Sequence, residues 1–155
     1  MPSDPEKRIQ ELHLTLPQPK PPKFKYKPTV LVGKTLYVSG HVSVKDDGSF
    51  ITGKVGADLT TEQGKLAARQ AGIAILGTVR AALGSLNKVK RLVKTLGMVN
   101  ATPDYKDQPL VVNGFSELMA EVFGEEAGVG ARSAVGMGSL PANGAVEVEC
   151  IFEVE

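Results

Sequence analysis

Two periods alternate along this chain. Thr29–Val32 and Thr35–Val44 are rich in β-branched residues, and Gly33–Lys34 between them has the length of a two-residue hairpin connection. KDDGSF reads as a second turn, and Ser49–Val55 as a further short strand. Lys90–Val99 is another strand. The stretch ARSAVGMGSLPANGAVEVECIFEV, Ala131–Val154, reads as two strands joined by a turn at Pro141–Gly144. Between these segments the period lengthens to that of a helix. From Leu59 on, Ala68, Gly72, Ile75, Leu76, Val79 and Leu83 recur on one face, Thr60 with Gln63 forms a capping box, and Gly84 stops the helix. A second helix, Leu110–Phe123, carries Val112, Phe115, Leu118, Met119 and Val122 on its apolar side, and Gly124–Gly130 reads as a glycine-rich loop after it.

The N-terminal segment differs. Asp4–Leu14 reads as a short helix, with Asp4 as cap, Pro5 in the first turn, and Ile9, Leu12 and His13 at helical spacing. LPQPKPPKFKYKP then favours extended backbone. Its lysines suit either a solvated arm or a contact to nucleic acid. The expected organisation is one α+β domain over residues 1–155: a helix and arm at 1–23, and a core at 24–155. Two helices pack on one face of a mixed, antiparallel-rich sheet.

Composition narrows the function. A net charge of +1 argues against nucleic acid as the main partner, because phosphate binding draws on a basic surplus. The single cysteine, Cys150, lies in an apolar strand and reads as a buried free thiol suited to a reducing compartment. His13 and His41 are far apart, and no cluster has metal-ligand spacing, so no metal is expected. The first residues lack the apolar run of a signal peptide, and no stretch is apolar for long enough to span a membrane. The expected location is cytoplasmic.

The candidate chemistry lies in the last two strands. A hairpin at Pro141–Gly144 would pair Leu140 with Ala145, set Gly138 opposite Glu147, and set Arg132 opposite Glu153. Val146, Val148, Cys150, Phe152 and Val154 then face the helices, while Glu147, Glu149, Ile151, Glu153 and Glu155 share the other face. That second face is either simply solvated or functional. Ile151 among the charges, and the small residues Ala134, Gly136 and Gly138 after Arg132, favour close approach of a ligand or a second backbone. In this register Arg132 and Glu147 are roughly 20 Å apart. They could share a small ligand only across a subunit interface, which predicts an oligomer.

Three segments carry a resemblance: GKTLYVSGHV with its Ser-Gly pair, NGFSELMAEVFG opening on an asparagine, and ARSAVGMGSLPANGAVEVECIFEV with its Arg-Ser, Leu-Pro and Val-Glu-Val-Glu elements. Together they resemble the YjgF/RidA family from Tyr26 onward, and the long N-terminus resembles a longer subgroup. The resemblance implies a chorismate-mutase-like fold, a homotrimer whose sheets enclose a central barrel, and clefts between subunits. It implies hydrolysis of 2-imino and enamino acids such as 2-aminoacrylate to 2-keto acids and ammonia, without a cofactor.

By position, Arg132 would bind the substrate carboxylate and Glu147 would position or activate water. Tyr26 would flank the substrate, the Ser39–Gly40 pair would offer a backbone amide, and Asn113 would line the cleft. Ala134 stands where cysteine is common in the family, and His41 where glutamine is common. His41 is either a pocket group or a structural strand histidine. Two other readings stand beside the enzyme: a regulator that binds a small carboxylate or keto acid without turnover, and a ribonuclease or translation inhibitor.

Overall fold

In the computed structural model, which describes residues 4–155, the last strand in chain order lies in the middle of the sheet. The elements are α1 (Pro5–Glu11), β1 (Thr29–Val32), β2 (Thr35–Val42), α2 (Thr61–Leu83), β3 (Val89–Asn100), α3 (Gln108–Gly128), β4 (Ala131–Met137) and β5 (Val146–Val154). They form one five-stranded sheet in the order β1-β2-β5-β3-β4. β5 runs antiparallel to both β2 and β3, and β4 runs parallel to β3. The sheet is mixed and open, with helices against one face, as an α+β fold requires.

Local chemistry sets most boundaries as expected. Asp4 caps α1 by accepting from Lys7 N. The Thr60–Gln63 capping box opens α2, and Gly84 closes it in the left-handed region at φ 83°. Ala68, Gly72, Ile75, Leu76 and Val79 of α2 are fully or nearly fully buried against Phe115, Leu118 and Met119 of α3 and Val148 and Phe152 of β5. Each such large side chain contributes about 2 kcal/mol through apolar area removed from water.

Four expectations change. α1 stops at Glu11 rather than Leu14, because His13 adopts φ 54°; Leu12, Leu14 and Leu16 still pack on the core from an extended chain. Ser49–Val55 forms no strand, only isolated bridges such as Val44 to Phe50 and Thr52 to Gly144. Gly53 at φ 120° breaks the extended run. The regular part of α3 ends at Phe123 as expected, with Gly124 outside helical geometry (φ 87°, ψ 162°), but where a loop was expected a further helical segment runs to Gly128. There the α-carbon rests against Met119 O, where a Cβ would collide.

The fourth change is the largest. β4 and β5 are not a hairpin. β4 pairs with β3 after the α3 crossover, and β3 separates it from β5. The link between them, Gly138–Ala145, crosses the end of β3. Buried Asn100 donates through Nδ2 to Gly144 O at 3.1 Å, and Lys54 Nζ donates to Gly138 O at 2.6 Å and to Asn100 Oδ1 at 2.8 Å. These bonds satisfy an amide that would otherwise be buried at a cost.

Candidate functional site

The observed register separates the two charged residues by face. Arg132 pairs with Thr95, which pairs with Cys150, so Arg132 projects on the helix side. Glu147 pairs with Met98 and Val42 on the opposite, open side. Three residues along the ladder and two strands across place their backbones about 14 Å apart. The expected pairs Leu140–Ala145, Gly138–Glu147 and Arg132–Glu153 do not form. The strip after Arg132 is open only in part: Ala134 lies opposite Gly97 and packs on the core, and the Gln108 side chain sits 3.0 Å from where a Cβ of Gly136 would be, while Gly138 is exposed with open space beside it.

Each charged residue has its own surroundings. On the helix side, the exposed Arg132 reaches back to α3. Its Nη1 donates to Ser116 Oγ at 3.1 Å, and its Nη2 to Pro109 O at 3.4 Å. Pro109, Asn113 and Ser116 stand at i, i+4 and i+7, so Asn113 belongs to the helix face beneath the guanidinium. Arg132 forms no ion pair among the described residues.

On the open side, Glu147 lies over the bare α-carbon of Gly40, at the irregularity in β2 between Val38 and His41. A Cβ at position 40 would collide with Glu147 Oε2. Glu147 Oε1 is buried and has no hydrogen-bond partner among the described residues. Burial, reinforced by the negative charge of Glu149, pushes the Glu147 carboxyl above the usual carboxylate range. Ser39 joins this half to the arm: its hydroxyl donates to Lys27 O at 2.6 Å and its amide to Pro28 O at 2.9 Å. Tyr26 precedes that anchor and is 53% exposed.

The seven expected site residues thus fall into two separate groups. Ser39, Gly40 and Glu147 lie on β2 and β5, with Tyr26 on the arm ahead of β1, and Arg132, Ala134 and Asn113 lie on β4 and α3. One chain does not bring the groups together.

His41 is structural. Its Nδ1–H donates to Ser39 O at 2.7 Å, and Thr78 Oγ1 donates to its Nε2 at 2.8 Å, tying β2 to α2. A carbonyl accepts only, so Nδ1 carries the proton of the neutral ring. Burial holds the imidazole below its usual pKa, with the bond to Ser39 opposing weakly.

Ser116 and Thr78 were missed in the sequence. Ser116 left a signal: a polar residue three positions after Asn113, on the side of the helix away from Phe115 and Leu118. No group of three or more metal-ligating side chains occurs among the described residues, and no helix there is long and apolar enough to cross a membrane.

Comparison with known proteins gives the lineage. Residues 6–154 match the family model described as "YjgF/chorismate_mutase-like, putative endoribonuclease". Protein TCP17 of Trypanosoma cruzi is 42% identical over 146 residues, covering 94% of this chain and 91% of that protein. The crystal structure of Atu1372 from Agrobacterium tumefaciens, a protein described as of unknown function, is 41% identical with a TM-score of 0.88, over 97% of this chain and 94% of that one. RidA from the Antarctic bacterium Psychrobacter sp. PAMC 21119 is 26% identical with a TM-score of 0.59, over 86% of this chain and 92% of its own. With the family model matched from α1 to the end of β5, this chain belongs to the YjgF/RidA family.

Proposed function

We propose that this protein hydrolyses 2-imino acids, and the enamines that tautomerise to them, to 2-keto acids and ammonia. The reaction takes place in clefts where Arg132 of one subunit meets Glu147 of the next. The observation that carries this reading is the Glu147 carboxylate, which is half-buried, with one oxygen unpartnered and the other over Gly40. Such a carboxylate binds protons more readily than one in water and has no internal partner to release before it acts as a base. A site that only bound carboxylates would gain nothing from a second negative charge.

Arg132 grips the substrate carboxylate with parallel hydrogen bonds and so fixes C2. Glu147 takes a proton from water as the water oxygen bonds to C2 and the C=N electron pair moves to nitrogen. The proton then passes to that nitrogen. The C–N bond breaks as Glu147 relays the carbinol proton to the same nitrogen, so that ammonia leaves and the carbinol oxygen becomes the keto group. An enamine enters the same path after protonation at C3. Gly40 offers a backbone amide, since the Ser39 amide is committed to Pro28 O. Tyr26 and Asn113 flank the substrate, and Ala134 serves through its backbone.

Two half-sites on opposite faces require at least two chains, and a closed ring of three, sheets inward, supplies three equal clefts. The buried free Cys150 suits the reducing cytoplasm. The test is a coupled assay in which an amino-acid oxidase or dehydratase generates the imine and keto-acid release is followed. Acceleration lost in Arg132→Ala and Glu147→Gln supports the reading. Release no faster than in buffer sinks it, and pyruvate binding without turnover would favour a regulator.

A further inference from the structure

We infer that Ser116 is the second half of the carboxylate anchor: it positions the Arg132 guanidinium and donates its own hydroxyl proton to the bound carboxylate. The inference rests on the reading of Arg132 as a carboxylate-binding group. Ser116 Oγ accepts from Arg132 Nη1 at 3.1 Å, and its own hydrogen has no acceptor among the described residues. The Pro109 carbonyl takes a second guanidinium hydrogen through Nη2 at 3.4 Å.

A guanidinium has five N–H donors, so these two bonds leave three. They also remove the rotational freedom of a long, exposed side chain, an entropy otherwise lost when substrate binds. Serine favours caps and turns over helix interiors, yet it occupies the middle of α3. Packing does not ask for it, because the core side of this turn is filled by Phe115, Leu118 and Met119. A hydroxyl that accepts from a cation is polarised and becomes a better donor, and an anion beside that cation is its natural acceptor.

The experiment measures pyruvate binding by calorimetry, and turnover of a generated imino acid, in the full-length protein. Ser116→Ala should weaken pyruvate binding and raise KM about tenfold, with kcat within about twofold. Ser116→Thr, which keeps the hydroxyl, should recover most of the affinity. Pyruvamide, which lacks the anionic carboxylate, should bind wild type and Ser116→Ala equally weakly. Alanine favours the helix, so the variant folds, as its thermal midpoint will report. Pyruvate binding unchanged in Ser116→Ala but lost in Arg132→Ala would overturn this inference while leaving the role of Arg132 intact. Failure of the wild type to bind pyruvate would overturn both.

Discussion

Arg132 and Glu147 leave opposite faces of one sheet, with β3 running between their strands. If they serve one reaction, they do so from different chains. Subunits carrying Arg132→Ala and subunits carrying Glu147→Gln should each be inactive alone. Refolded together in equal amounts, they should recover about a quarter of wild-type activity, the share of interfaces that receive both intact residues by chance. The keto-acid assay on the mixture reads this directly. No recovery in a mixture proven to contain mixed oligomers would place both residues in one chain's site.

Gly40→Ala separates catalysis from folding. The added methyl meets the end of a flexible glutamate side chain, which can swing aside, so stability should change by less than about 1 kcal/mol. The swing removes the carboxylate from its place, and kcat should fall on the order of a hundredfold. Steady-state kinetics beside a urea melt would check the pair of values.

Glu147 also predicts two opposite pH trends. A base must be ionised, so kcat/KM should fall as pH drops through its raised pKa, and Glu147→Gln should abolish that limb along with most activity. Stability runs the other way. A carboxyl whose folded pKa exceeds its unfolded value favours the neutral form, so it destabilises the fold above the raised pKa and ceases to do so below the ordinary value of 4.5. At neutral pH, Glu147→Gln should be more stable by up to about 1 kcal/mol, since half of the group stays wet. The gain should vanish near pH 4.

His41 should make the fold acid-sensitive in a different window. Its folded pKa lies below the unfolded value of 6.5, so its contribution is complete above that value. The contribution is lost as pH falls from 6.5 through the folded pKa, when the unfolded chain takes up the proton first. The thermal midpoint should drop by roughly a few degrees between pH 7 and pH 5. In His41→Gln, whose amide can donate to Ser39 O and accept from Thr78, the drop should be smaller. An equal drop in both proteins would assign the sensitivity elsewhere.

The arm offers a mechanical test. Gly77 of α2 leaves room for Pro17 O, and a Cβ there would collide with that carbonyl. Gly77→Ala should raise intrinsic helix propensity by about 1 kcal/mol yet loosen the arm. Trypsin should then cut after Lys23 or Lys25 several times faster than in wild type, while the core resists.

Legibility in the sequence followed the range of the forces. Caps, the β1–β2 hairpin and the apolar faces of α2, α3 and β5 are set by neighbours within four residues, and the sequence shows them plainly. It does not show the pairing of β4, because LPANG carries the turn residues of a hairpin while its backbone crosses the end of β3. Residues distant in sequence, Lys54 and Asn100 among them, hold that crossing. The glycine at 124 does end the regular helix, as its freedom at positive φ allows, but the helical segment that follows it to Gly128, packed on Met119 O, is not legible in the glycine-rich sequence. The candidate residues themselves stand out through family resemblance. Their division between two faces does not, since a strand's partner is not written in its own period.

The central place of β5 sets an order of assembly. The β1–β2 hairpin and the β3–α3–β4 unit can each form from nearby residues, but they share no strand edge until β5 inserts between them. Folding therefore waits on contacts that span most of the chain, a slow class of transition. The strand that carries Glu147 is the one that closes the sheet. Until it docks, both halves expose unpaired edges of the kind that seed aggregation.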